Sequence, residues 1–482
     1  MLLRRFYDDV LAQASYLVGA ETSDEAIVID PNRDLMQYLE AARTENLRIT
    51  HVTETHIHAD FVSGARALAR QSGARLLLSA EGGSEWQYRF GPDDGAVLLQ
   101  SGDDFRVGEV RFEVLHTPGH TPEHLVLFVT DSAAADRPMG AFTGDFIFVG
   151  DVGRPDLLER AARIEGTMER SARALFQSLR RMRGYPEYLQ LWPGHGAGSA
   201  CGKNLGAVPS TTLGYERLFN WAFAIDDEEE FVRAVLAGQP EPPRYFARMK
   251  MINRDGPPPT NAHSVIRHVD AEEIEALLGG GAATVQVVDA RPAAEFAAGF
   301  LPGTINIPAG KSFATWAGAL LSYDRDVVLL VDAGGEARAT ALERELMLIG
   351  LDRVTAWGGR EVFDDWRRSG KTLAHMPTID AKSLSDRTTA RVIDVRGDAE
   401  WAEGRIPGAM HLFLGDLVET ATTLQRDLPI VVACQGGTRS SIGASLLHAR
   451  GFTNVSNFPG GFAEWKRLGF PVETSDTPVG TG

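Results

Sequence analysis

Cysteine is nearly missing from this sequence: Cys201 and Cys434 are the two in 482 residues. At most one bridge can form, which excludes a disulfide scaffold and leads us to expect a reducing, cytoplasmic setting. Long apolar runs are also missing. None approaches the ~18–20 residues of a membrane span, and Asp8 and Asp9 interrupt the amino-terminal stretch early, so neither a span nor a cleaved signal is expected. Positive charge is in deficit, with 48 Lys plus Arg against 65 Asp plus Glu and a formal net charge of −17. That sign disfavours nucleic acid and anionic membrane surfaces as partners and favours small molecules. A composition of 44% hydrophobic and 23% charged residues excludes a disordered or fibrous chain.

The length exceeds what one core usually organises, so several domains are expected. Up to about Cys201, apolar runs such as 26–30, 76–78, 110–115 and 125–129 alternate with helical stretches such as 34–45, an α/β pattern. The acids of 226–230 open a further helix, and Arg254-Asp255-Gly256-Pro257-Pro258-Pro259 reads as a turn or extended linker. This places a first domain at 1–260. Beyond it the chain repeats itself at a spacing of roughly one hundred residues, the size of a small domain. Val287-Val288-Asp289-Ala290-Arg291 recurs as Val392-Ile393-Asp394-Val395-Arg396, Leu301-Pro302-Gly303 as Ile406-Pro407-Gly408, and Glu295 as Glu400. Gly358-Gly359 with Trp366 closes one copy and Gly460-Gly461 with Trp465 the other. The copies are expected at 261–375 and 376–482, each with β runs (327–331, 429–433) followed by a helical run, as in a doubly wound α/β domain.

Histidine and aspartate gather in the first domain. Thr55-His56-Ile57-His58-Ala59-Asp60-Phe61 is followed by His120, Asp145 and His195, each in a Gly-containing turn after an apolar strand. Strand-end loops hold side chains rigidly while leaving them open to substrate, which suits a metal site. These residues resemble the metallo-β-lactamase superfamily, and the resemblance implies an αββα sandwich with metal at one sheet edge. Phe61 stands where hydrolases of that superfamily carry a histidine that ligates a second metal. Within the superfamily the chain is most similar to persulfide dioxygenases, which implies a single Fe(II) per chain held by His56, His120 and Asp145. A face of two histidines and one carboxylate suits non-haem iron that activates O₂. His58, Asp60 and His195 then orient the ligands or face the substrate. Arg154, in a similar Gly-Arg-x-Asp stretch, either meets an anionic thiol substrate or pairs with Asp156. Cys201 either sits at the metal mouth as a sulfur carrier or is a buried, inert thiol.

In the second repeat, Cys434-Gln435-Gly436-Gly437-Thr438-Arg439-Ser440 joins a strand to a helical run at 441–450. Backbone N–H groups and a helix N-terminus there stabilise negative charge on sulfur and can cradle a persulfide. The loop and its surrounding repeat resemble the rhodanese family, which implies Cys434 as the sulfur carrier with Arg439 beside it. In the first repeat the aligned residue is Asp332, which cannot take up sulfane sulfur, so that copy is expected to be inactive.

The whole chain therefore resembles a persulfide dioxygenase fused to tandem rhodanese domains. That resemblance implies low-molecular-weight thiol persulfides (glutathione, coenzyme A or similar) and O₂ as substrates, with sulfite and thiosulfate as products, in sulfide detoxification. A homodimer or tetramer is expected. Two rival readings are a metal-dependent thioester hydrolase of the glyoxalase II kind and a sulfide- or redox-sensing binding protein using Cys201 and Cys434.

Overall fold

The computed structural model describes residues 1–162, 166–259, 266–279, 284–332, 334–386 and 390–474. The chain divides into two compact units near residue 260.

The first unit carries two six-stranded sheets. One runs Leu2–Asp8, Gln13–Ala20, Glu25–Ile29, Arg48–Thr53, Arg75–Ser79 and Val97–Leu99 in order across the sheet. The other runs Thr211–Thr212, Gln190–Pro193, Gly140–Gly144, Leu125–Asp131, Val110–His116 and Asp104–Val107. Side chains alternate across a strand, and the strand Gln13–Ala20 shows the consequence. Tyr16 and Val18 face the second sheet and pack in one cluster with Phe112, Leu127 and Phe142. Leu17 faces the other way, onto Tyr38, Ala42 and Leu68 of the helices Met36–Thr44 and Ala65–Ser72. The second sheet's outer face is covered in the same way, with Phe128 and Leu191 against Leu175 and Leu179 of the helix Met168–Met182. The result is the expected αββα sandwich.

The acids at 226–230 do open a helix, Glu228–Leu236, where the Asp227 side chain accepts the Glu230 N–H at 2.8 Å and caps the first turn. The expected linker begins later than its sequence suggests. Arg254 and Asp255 form the last turn of the helix Phe246–Asp255, and the extended part starts at Gly256, whose φ of 108° ends the helix. The boundary expected after residue 260 lies outside the described residues.

The second unit holds two parallel sheets, one per repeat. The first is ordered Arg267–His268, Val354–Gly358, Asp326–Leu330, Val285–Asp289, Ile305–Asn306, and the second Met410–His411, Arg391–Asp394, Ile430–Ala433, Val455–Asn457. The helix Thr438–Ala449 is buried almost throughout its length, where Ser441 and Ser445 bond Asn306 of the first repeat. In each repeat the arginine after the first central strand folds back on its own aspartate: Arg291 on Asp289 and Arg396 on Asp394, both pairs buried.

Candidate metal centre and sulfur-transfer loop

His56 follows the strand Arg48–Thr53, His120 the strand Val110–His116, and Asp145 the strand Gly140–Gly144. Their ligand atoms lie within 4.8 Å of one another, all buried. His120 Nε2 is 3.4 Å from Asp145 Oδ2 and His56 Nε2 is 3.9 Å from it. The far nitrogens are occupied: His120 Nδ1 donates to the Arg154 carbonyl at 3.0 Å, and His56 Nδ1 pairs with the Thr55 hydroxyl at 3.0 Å. Those contacts fix which nitrogen of each ring points inward. Among the described residues His56 Nε2 and Asp145 Oδ2 are buried without a hydrogen-bond partner, and orphaned buried polar atoms are costly unless something else binds them. Burial also lowers the basicity of His56 and His120, keeping both imidazoles neutral as ligands must be. The donor set therefore fits one divalent metal.

Of the residues expected to surround the triad, His195 and Asp60 are joined to Asp145 in one hydrogen-bonded chain. His195 Nδ1 donates to Asp145 Oδ1 at 2.7 Å and Nε2 to Asp60 Oδ2 at 2.8 Å. Burial opposes charge on this ring, but the two carboxylates outweigh it and raise its pKa well above the usual histidine value. For Asp145 burial acts upward, and His195, with His56 and His120, overcomes it and holds the carboxyl well below the usual range. The His58 ring lies 4.3 Å from that of His56, with Nε2 3.2 Å from Asp30 Oδ1; against burial, Asp30 raises its pKa to about 9. Phe61, fully buried, lies against the His58 ring with centroids 4.5 Å apart.

Cys201 does come to this centre. Its sulfur lies within 4.8 Å of the ligand atoms of Asp60 and His195. Burial, reinforced by Asp145 and Asp60, pushes the thiol well above its ordinary pKa, so it stands protonated. Of the two readings for Arg154, the geometry supports the pairing one. Its guanidinium is fully buried, with Nε and Nη2 each 2.8 Å from the Asp156 carboxylate and Nη1 on the Ala200 carbonyl. The fork is thus turned to Asp156 and Ala200 and away from solvent, while the Arg154 carbonyl accepts from His120 Nδ1.

Two residues of the centre escape sequence reasoning. His124 Nε2 accepts the Asp145 N–H at 3.1 Å, its Nδ1 pairs with Thr117, and its ring stacks on His56 at 5.1 Å. Asp30 accepts both the N–H and the hydroxyl of Thr55, at 2.6 and 2.9 Å, from a left-handed backbone with φ of 52°. The spacing of His120 and His124 was a visible signal; Asp30 looked like a strand end. Gly144 matters for close approach: at φ of 48° its Cβ would lie 2.4 Å from Thr55 Oγ1 and 2.8 Å from His124 Nε2.

Cys434 follows the strand Ile430–Ala433 and is buried. The Gly437 N–H donates to its sulfur at 3.1 Å, and the Ser440 hydroxyl lies 3.4 Å from it. Gln435, Gly436 and Thr438 complete the loop to the helix Thr438–Ala449. Arg439 does not reach the sulfur among the described contacts; it forks onto Glu400 at 2.6 and 2.7 Å. In the first repeat Asp332 Oδ1 accepts the Gly334 N–H at 3.2 Å, and Glu295 pairs with Arg360 at 3.2 Å. The clamp that ties Glu400 of the helix Asp398–Glu403 to the Cys434 loop in the second repeat is thus redirected in the first.

Residues 8–195 match the metallo-beta-lactamase superfamily, and residues 270–359 and 378–468 each match the rhodanese-like domain. A solved metallo-beta-lactamase from Staphylococcus aureus is 40% identical, with a TM-score of 0.66, over 74% of this chain and 99% of that one. The chain belongs to the metallo-beta-lactamase superfamily. It joins a metallo-beta-lactamase domain to tandem rhodanese-like domains, a combination similar to persulfide dioxygenase–rhodanese fusions. Among curated relatives, a hydroxyacylglutathione hydrolase of Nitrosococcus oceani is 36% identical over 140 residues, 29% of this chain and 49% of its own. The human mitochondrial persulfide dioxygenase is 27% identical over 165 residues, 34% of this chain and 59% of its own. The chain spans about half the length of these curated relatives.

Proposed function

We propose that this superfamily member is a persulfide dioxygenase coupled to a sulfurtransferase. The observation that carries the reading is the converging triad of His56, His120 and Asp145 beside a phenylalanine, Phe61, in the motif position that a two-metal hydrolase fills with histidine. Iron(II) in that triad supplies the one-electron chemistry that ground-state O₂ requires. His195 holds a proton between Asp60 and Asp145 and thereby keeps Asp145 ionised and aimed. Overall, a thiol persulfide anion, O₂ and one water give the free thiol, the sulfite dianion and one proton, both O₂ atoms ending on the outer sulfur. Cys434 then accepts the outer sulfur of a second persulfide, releasing its thiol. Sulfite attacks that sulfur, the Cys434 thiolate leaves, and thiosulfate departs. Gly437 N–H, 3.1 Å from the sulfur, supports negative charge there. The same loop can also run in reverse, from thiosulfate to an enzyme persulfide. The first rhodanese-like repeat, with Asp332 at the sulfur position, takes no part in transfer. We place the protein in the cytoplasm as a homo-oligomer.

The test is O₂ uptake by iron-loaded protein given glutathione persulfide or coenzyme A persulfide, with sulfite and thiosulfate measured together. The reading requires uptake that His120→Ala abolishes, and thiosulfate that Cys434→Ser replaces by sulfite. One observation favours a second reading: Asp60, His195 and Cys201 offer three further ligand atoms within 4.8 Å of one another. A second metal there would suit a thioester hydrolase. Metal analysis with a thioester panel decides it: the dioxygenase reading needs one iron per chain with persulfide-dependent O₂ uptake, and the hydrolase reading needs thioester turnover, with one metal or two.

A further inference from the structure

At the end of the first unit opposite the metal loops lies a cavity of about 790 Å³. Its distance from the candidate metal centre follows from one strand. Arg48 opens Arg48–Thr53 at the cavity, and His56 follows that strand's far end, roughly 20 Å away at ~3.3 Å per residue. Four exposed arginines line the cavity: Arg43 from the last turn of Met36–Thr44, Arg48 and Arg75 from the first positions of two parallel strands, and Arg106 from the other sheet. Against them stands one lining carboxylate, Glu25, which accepts the Gly108 N–H at 3.0 Å and lies 3.8 Å from Arg48.

Elsewhere in this acidic chain arginines are commonly paired, as Arg66 and Arg70 are on Asp94 and Arg173 on Glu228 and Glu229. Among the described residues no carboxylate pairs with Arg43 or Arg75, and Arg106 bonds only the Ser132 hydroxyl, at 3.3 Å. Helix-end electrostatics account for Arg43 alone; Arg75 and Arg106 sit on strands. The floor between these cations is apolar, built from Leu39, Ala42, Leu47 and Ile49. Half-buried His51, its Nδ1 2.9 Å from the Thr50 hydroxyl, presents a flat ring beside it.

We propose that this cavity binds a phosphorylated small molecule of nucleotide type, its phosphates among Arg43, Arg48, Arg75 and Arg106 and its ring system on the apolar floor. Guanidinium matches phosphate oxygens as a two-pronged donor, which a chain with net charge −17 has little other reason to concentrate here. The volume is within the range of small-molecule sites.

Isothermal titration calorimetry on the full chain tests this with ADP, pyrophosphate and adenosine at low and moderate salt. ADP should bind, more weakly as salt rises, and adenosine should not. The double variant Arg43→Ala/Arg75→Ala should weaken ADP by at least about tenfold with unchanged melting temperature and metal content. Glu25→Gln should tighten it. Absence of heat with both ADP and pyrophosphate at millimolar concentration overturns the proposal. So does ADP affinity that the double variant leaves intact, or adenosine binding as well as ADP.

Discussion

His195 stands between two buried carboxylates, 2.7 Å from Asp145 Oδ1 and 2.8 Å from Asp60 Oδ2. Asp145 thereby keeps Oδ2 free to face His56 and His120, so the bridge acts on the metal through the orientation and ionisation of Asp145. Glutamine carries both its donor hydrogens on one nitrogen, so it cannot reproduce a bridge made from the two ring nitrogens. His195→Gln should lower iron affinity by about 10–100-fold with unchanged far-UV circular dichroism. Chelator competition measures it, and wild-type iron retention would refute this role.

Arg154 and Asp156 form a buried bidentate pair whose backbone also anchors His120. Removing one partner of such a pair costs about 3–5 kcal/mol. Arg154→Met should therefore shift the first unit's urea transition down and loosen the metal. Unchanged stability with a raised KM for persulfide would instead return Arg154 to a substrate-binding role.

Gly437 adopts φ of 95° where the loop turns over the Cys434 sulfur, and a Cβ there would lie 2.2 Å from the Pro459 carbonyl. Alanine must move the N–H that donates to sulfur. Gly437→Ala should cut sulfur transfer from thiosulfate to cyanide by at least about tenfold while leaving persulfide-dependent O₂ uptake unchanged. Equal loss of both activities would contradict a loop-confined effect.

The convergence of His56, His120 and Asp145 was legible because each sits in a short turn after an apolar strand, and the repeats because their strand-end motifs recur in order. What closes the site was not. Asp30 holds Thr55 only because strand pairing brings Ile29 beside Thr53, a relation invisible in linear spacing. Cys201 meets Asp60 across more than a hundred residues of chain. Arg154 was ambiguous because a buried pair and a substrate contact use the same short motif, and only burial separates them. Glycine at 256 hid the helix before it, since a Pro-rich run reads as linker from its first polar residue.

Glu400 and Arg439 clamp the second repeat's helix Asp398–Glu403 to its Cys434 loop. Burial pushes the Glu400 carboxyl up, and Arg439 more than reverses this, leaving it below its ordinary value of 4.5. A carboxyl depressed in the folded state stabilises above its unfolded pKa, and that contribution is lost as pH falls through the lower folded value. Glu400 is only half-buried, so the contribution is about 1 kcal/mol or less. The urea midpoint of the wild type minus that of Glu400→Gln should stay constant from neutral pH to about 5 and shrink below about 4. A difference that grows on acidification would place the stabilising charge elsewhere. Freed from the clamp, Arg439 in Glu400→Gln can turn toward an incoming anion, so this variant should bind sulfite more tightly while turning over no faster.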